Sequence, residues 1–484
     1  MKRRLSLLLA SVLLFSLVSC SDGNGETISA SSKEEISEAS DVTNLSEEIS
    51  ETVSDEVSGE ESEEVSEVEI ERTWPCVTGT FVQPGAFMGY QVKNWVTHFN
   101  NLKEVGIDTF IIQWTAETPY GKFLNVYYPS EFAKANKASS FTDCSTFLPR
   151  VLEAAKQTDM KIFVGLNLSD EWWAFACTDV EWNKKEASVG VTMAKEIYDL
   201  YKKDYPDELY GWYFAYEMFN GMKDQEQKAG DFLNMYLEPL TELDDSMPVM
   251  LSPFVTQWGC DAKKAGEEWT KVFEVANFRE GDIFCCQDAV GAGHITIDML
   301  DGYFAALKKA VDTEPGLKFW ANSEDFSIDN NVYSTADVNR FVRQMKIAEP
   351  YVEGYVTFAY SHYYAKDYGG HGGYHEAYKH YYNTGDTGSG ITVESVTFEK
   401  KDENNVRAEV TVSGSVAYKT VTYKATGSDE YVYSVPVSMA DKETLVLHYN
   451  VKLNPESEDE VYLKVTVTDY SGNKKSTTVK VPKD

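Results

Sequence analysis

The chain has 484 residues, 43% of them hydrophobic and 13% aromatic, enough for more than one packed domain. Its formal net charge is −34, from 78 acidic against 44 basic residues. So acidic a surface excludes nucleic acid as the expected partner, because phosphate binding needs clustered lysine and arginine.

Lys2, Arg3 and Arg4 precede an uncharged, leucine-rich run from Leu5 to Val18, too short to span a bilayer, so residues 1–19 read as a signal peptide. Leu17-Val-Ser-Cys20 resembles a bacterial lipobox, which implies cleavage before Cys20 and its lipidation. The expected location is then the extracellular face of the bacterial cell membrane, with the chain held there by acyl chains on Cys20. Residues 20–70 are rich in Ser and Glu, carry Lys33 as their one base and hold no aromatic residue. They cannot bury enough apolar surface to offset chain entropy and read as an extended, self-repelling tether. About half of the net charge lies in this stretch, so the charge says little about the ligand.

Residues 74–385 alternate short apolar runs with longer amphipathic stretches, the pattern of parallel strands joined by crossover helices. Eight strands are expected: 77–83, 109–114, 161–167, 209–217, 248–255, 283–288, 318–324 and 354–360. Phe147, Val151, Leu152 and Ala155 illustrate the 3.6-residue spacing between them. Eight units of this kind predict a (β/α)₈ TIM barrel, and the absence of a glycine-rich phosphate loop after the first strand argues against a doubly wound sheet. Residues 389–484 change to alternating Thr, Val, Tyr and Lys, with about seven short strands and a turn signal at Asp469-Tyr-Ser-Gly-Asn473, and predict an Ig-like or fibronectin-like β-sandwich. The six cysteines other than Cys20 all fall in the barrel without metal spacing; Cys285 and Cys286, adjacent on one strand, should face opposite ways and not pair.

In a TIM barrel the chemistry sits at the C-terminal ends of the strands. Gln83, Gln113, Trp114, Asn167, Glu217, Gln287, Asp288, Asn322, Glu324, Tyr360 and His362 occupy those ends, with Trp172, Trp173 and Trp258 in loops beyond. Amides, carboxylates and aromatic rings together suit a sugar, whose hydroxyls take hydrogen bonds and whose faces stack on rings. Glycoside hydrolysis needs a proton donor and a second carboxylate, and Glu217 and Glu324 supply the pair. Glu217 closes the apolar run Gly211-Trp-Tyr-Phe-Ala-Tyr-Glu217, whose dryness should raise its pKa as a general acid requires. At Glu324 the neighbouring Asp325 competes for the role. Asp288 has three readings: hydroxyl ligand, partner that aligns Glu324, or second catalytic carboxylate. In the third, an inverting reaction follows if the carboxyls stand about 6.5–9.5 Å apart rather than about 5 Å. His362, His371 and His375 offer a rival metal reading, which the glycine-rich setting of His371-Gly-Gly-Tyr-His375 argues against. No cofactor and no metal are expected.

An acid/base on strand four and a nucleophile on strand seven is the placement of the large clan of retaining (β/α)₈ glycoside hydrolases. More closely, Gly79-Thr-Phe-Val-Gln83, Ile111-Ile-Gln-Trp114, Gln287-Asp-Ala-Val-Gly291 and Trp320-Ala-Asn-Ser-Glu324 resemble an uncharacterised family of glycoside-hydrolase-like barrels in bacterial lipoproteins. The resemblance covers residues 74–385 and implies an oligo- or polysaccharide partner, with Glu217 as acid/base, Glu324 as nucleophile and Trp320 among the residues lining the site. Tyr216, where the clan has an asparagine before the acid/base, departs from the pattern. The alternative is a saccharide-binding lipoprotein without catalysis; a structural adhesin acting through the sandwich is the third reading.

Overall fold

The computed structural model describes residues 72–483 except 176, 389, 415–417, 437, 438 and 440–443. The expected signal segment, Cys20 and the tether lie outside the described residues. Among the described residues no helix is long and apolar enough to cross a membrane.

Eight parallel strands close on themselves: β1 (Gly79–Val82), β2 (Thr109–Ile112), β3 (Lys161–Gly165), β4 (Leu209–Phe214), β5 (Val249–Leu251), β6 (Ile283–Gln287), β7 (Lys318–Glu324) and β8 (Gly354–Phe358), with β8 pairing back to β1. This is the predicted TIM barrel. The strands are largely apolar because the barrel interior covers one face and helices cover the other: Phe110, Ile111, Ile112, Ile162, Phe163 and Val164 are all fully buried. Helix Phe147–Thr158 buries Phe147, Leu148, Val151, Leu152 and Ala155, so the stripe read from the sequence is the face against the strands. Truncating one such side chain, Phe110→Ala, should cost about 3–5 kcal/mol through lost burial and the cavity left behind.

Several strands end earlier than their apolar runs suggest: β4 stops at Phe214 and β5 at Leu251. The residues beyond turn into rim loops. Two of these fold into structure of their own. A small sheet of Ala116–Glu117, Phe123–Val126, Lys137–Asp143 and Asn167–Leu168 follows β2 and β3. A hairpin, Phe326–Asp329 with Val332–Thr335, follows β7.

The C-terminal region forms two antiparallel sheets from seven strands: β9 (Thr392–Lys400), β10 (Asn405–Ser413), β11 (Tyr418–Ala425), β12 (Tyr431–Ser434), β13 (Thr444–Lys452), β14 (Tyr462–Asp469) and β15 (Lys474–Lys480). The sheet orders are β9-β10-β13 and β12-β11-β14-β15. Val406, Ala408, Val410 and Val412 on β10, and Leu463, Val465 and Val467 on β14, are buried at every second position, which is the two-residue period of a sheet with one covered face. The six described cysteines are free thiols.

Candidate active site

At the C-terminal ends of the strands lies a cleft of about 700 Å³, its open mouth included, with Glu217 and Glu324 both in its wall. A smaller compartment of about 350 Å³ adjoins it, lined by Gln113, Trp114, Leu168 and Trp172, and shares Gln83, Trp173 and Glu217 with the main cleft. Glu217 therefore stands where the two compartments meet.

Glu217 sits three residues past the end of β4. Its neighbour Tyr216 points the other way, into the helix layer, where its hydroxyl donates to Glu186 Oε2 at 2.8 Å and accepts from Asn167 Nδ2 at 3.1 Å. With Tyr216 anchored outward, Glu217 turns inward. The Trp172 indole N–H donates to the Glu217 carbonyl at 3.0 Å and fixes the loop. Among the described residues the Glu217 carboxylate itself receives two contacts, both long, from Gln287 Nε2 at 3.4 Å and Gln113 Nε2 at 3.5 Å. Burial without a cation beside it pushes the carboxyl up to about 7, and the Gln287 amide works against that rise.

Glu324 ends β7 with stronger partners. Its Oε2 accepts from the Ala292 backbone N–H at 2.8 Å, and its own N–H donates to Asp288 Oδ2 at 3.3 Å. Gly291 makes the first contact feasible: a Cβ there would lie 2.9 Å from Glu324 Oε2 and 2.2 Å from the Phe326 carbonyl. Asp288 also accepts from Val290 N–H at 3.1 Å and from the Gln344 side-chain amide. Burial, then the charge of Asp288, raises the Glu324 carboxyl; burial raises that of Asp288. Tyr333, on the hairpin, lines the cleft opposite, and its phenol is pushed up to about 12 by burial and by the negative charges of both Glu217 and Glu324. One hydroxyl thus feels both carboxylates.

Of the residues expected at the site, Gln83, Gln113, Trp114, Gln287, Glu217 and Glu324 line one compartment or the other. Asp288 is fully buried behind Glu324, and the cleft wall passes through its neighbours Gln287 and Ala289. Asp325 is buried too, away from the wall, with burial raising its carboxyl to about 8. Four expected contacts lie elsewhere. Asn167 is locked between Glu186, Tyr216 and Tyr236. Asn322 donates to Ser252 Oγ inside the barrel at 3.0 Å. Trp320 packs over Gly354, whose added Cβ would be 2.7 Å from the indole, four residues below the strand end and so about 13 Å from it. Tyr360 faces the helix layer and bonds His375 Nδ1 at 3.0 Å.

His362 stands behind the wall, accepting the Gln83 backbone N–H on Nε2 at 3.0 Å. His375 bonds Tyr360 and Glu104 instead of joining it, and no group of three or more metal-ligating side chains comes together among the described residues. Sequence reasoning missed Phe254, His294, Phe326, Tyr333 and Tyr363, which complete the cleft. Tyr333 carried a signal: Asn330 and Asn331, both with positive φ, join two alternating runs as a tight hairpin.

Fold and site together define a (β/α)₈ barrel with two glutamates in an aromatic cleft at the C-terminal ends of its strands. The chain belongs to the family of the domain of unknown function DUF4434, whose model matches residues 77–368. No curated protein matches the chain. Among solved structures it is similar to a Bacteroides thetaiotaomicron protein provisionally assigned as an α-L-fucosidase, at 22% identity and a TM-score of 0.54 over 64% of this chain and 96% of that one. It is also similar to a glycoside hydrolase family 5 protein from Bacteroides vulgatus, at 11% identity and a TM-score of 0.39 over 83% and 90% of the two chains. A Bacteroides uniformis β-glucuronidase shares 11% identity at a TM-score of 0.38, and there 84% of this chain spans 46% of the other. At such identities the likeness concerns the barrel and not the substrate.

Proposed function

We propose that this protein hydrolyses glycosidic bonds of a saccharide without anionic groups, with Glu217 as acid/base and Glu324 as nucleophile. The carrying observation is that both glutamates line one aromatic-walled cleft at the C-terminal end of the barrel. Glu217, with a carboxyl raised to about 7, keeps its proton for the leaving oxygen near neutral pH. Glu324 has one oxygen fixed by the Ala292 N–H, which leaves the other to attack the anomeric carbon. Asp288 serves as the partner that aligns Glu324. The rings of Trp173, Phe254 and Phe358 offer faces for the sugar.

The absence of negative charge on the substrate follows from the wall. Among the described lining residues there is no lysine or arginine, and burial holds the His294 imidazole down at about 4, hence neutral. A carboxylate or sulfate on the sugar about 5 Å from an ionised glutamate would cost roughly 3 kcal/mol at an effective dielectric of 20. Supported by the lipobox and acidic tether, the proposed setting is the outer face of the cell membrane, with lipidated Cys20 as anchor. Cys20→Ala should release the protein into the medium; a mutant that still fractionates with membranes would refute the anchor.

The test is sugar release from matched neutral and uronic-acid glycosides by the parent and by Glu217→Gln. Release from a neutral glycoside that disappears in the mutant supports the reading. A second reading, saccharide capture without cleavage, is favoured by one observation: the described lining residues include no lysine or arginine, and no cation is paired with the Glu217 carboxylate among the described residues. Tight binding of a neutral glycan with no release, unchanged in Glu217→Gln, would decide for capture.

A further inference from the structure

Helix Val338–Ala348 connects the sandwich to the two carboxylates. Its own N-cap, Asp337, makes no side-chain cap bond. The first two amides of the helix are instead capped from the sandwich: Val338 N–H donates to the Tyr470 carbonyl at 3.3 Å and Asn339 N–H to the Ser471 carbonyl at 3.0 Å. Helix-start amides need acceptors from outside the helix, and here another domain supplies them. The turn that does so, Asp469–Asn473 between β14 and β15, is itself rigid. Asn473 N–H donates to Asp469 Oδ1 at 2.8 Å, and Asn473 Oδ1 accepts from Asn339 Nδ2 at 2.9 Å. Lys419 on β11 reaches Asp337 at 3.3 Å, and Tyr470 packs edge-on against Tyr374 of the barrel at 4.8 Å. Gly472, with φ of 89°, allows the approach, since a Cβ there would stand 2.8 Å from Asp337 Cβ.

Further along the same helix, Arg340 and Gln344 hold the catalytic end of the barrel. Arg340 donates to the carbonyls of Glu324 (3.2 Å) and Phe326 and, through Nη1, to Gln344 Oε1 at 2.7 Å. Gln344 donates to Asp288 Oδ2 and to the Glu324 carbonyl at 3.2 Å. Every link is a hydrogen bond or a covalent turn of helix. We infer that the sandwich is a working part of the active site: its 469–473 turn fixes the start of this helix, so that Arg340 and Gln344, as positioning residues, align Asp288 and Glu324. The inference rests on the assignment of these carboxylates to the reaction, but the coupling it describes is independent of turnover.

The experiment is amide hydrogen exchange on the full chain carrying Gly472→Val, with Asn473→Ala as a milder companion that only removes hydrogen bonds. Exchange at Ala292 and Glu324 should quicken at least tenfold, while Ile111 and Phe163 on the far strands keep parent rates. Where the parent cleaves a glycoside, kcat should fall about ten- to a hundredfold with KM little changed, as expected when alignment rather than binding is lost. Parent-like exchange at Ala292 and Glu324 with Val338 and Asn339 already deprotected would overturn the inference. Quickened exchange in a chain inert toward every glycan would sustain the coupling and sink the hydrolase.

Discussion

Glu217 is partly exposed on the cleft and Glu324 is buried, and their partners differ too: one meets two side-chain amides at 3.4 and 3.5 Å, the other a backbone N–H at 2.8 Å with a second carboxylate behind it. Long contacts from flexible amides stabilise charge weakly, so Glu217 is built to carry a proton. A backbone donor fixed by Gly291 holds one oxygen in place through a reaction cycle, and the Asp288–Gln344–Arg340 network holds the strand end that bears it. The difference teaches that burial alone does not assign roles; the partners do.

Three substitutions probe that contrast, in falling order of effect. Glu324→Gln should lower kcat by about 10⁴-fold or more, because it removes the group that bonds to the sugar while leaving the cleft intact. Loss of less than about tenfold would mean that another group is the nucleophile. Asp288→Asn should reduce kcat by about ten- to a hundredfold with binding preserved, since it loosens alignment without touching the sugar. A loss as large as that of Glu324→Gln would return Asp288 to the catalytic pair. Gln287→Ala removes the hydrogen bond that favours ionised Glu217, so the Glu217 pKa rises and the alkaline limb of the pH–rate profile moves upward by up to about one unit. A downward move would contradict Glu217 as the proton donor.

Stability should report the raised Glu217 carboxyl. The folded-state pKa of Glu217, about 7, lies above the model-peptide carboxylate value of about 4.3, so folding favours its protonated form and stability falls as pH rises through that interval. Glu217→Gln should therefore melt several degrees above the parent at pH 8 and close to it at pH 4. Equal melting at both would indicate an unperturbed carboxyl.

All eight barrel strands were legible because two covered faces demand continuous apolar runs, and all seven sandwich strands because one covered face demands alternation. Positions at strand ends found both glutamates and four lining residues. What the sequence could not supply was direction. Tyr216 and Glu217 are adjacent and face opposite layers, and Asn167, Asn322 and Tyr360 stand near strand ends yet point into the barrel interior or the helix layer. That choice depends on where each strand stops, and β4 stops at Phe214, two residues before its apolar run ends at Tyr216. The loop-borne part of the cleft, Phe254, His294 and Tyr363, depends on tertiary approach and left no local pattern. The role of helix Val338–Ala348 was hidden for the same reason, since its cap comes from residues more than a hundred positions away.

The most direct test of the assignment is to trap the sugar on the enzyme. Incubation with uncharged 2-deoxy-2-fluoro glycosyl fluorides, followed by peptide mass analysis, should place one glycosyl adduct on Glu324 and none on Glu324→Gln. An adduct on Asp288 or Glu217 in the parent would contradict the account.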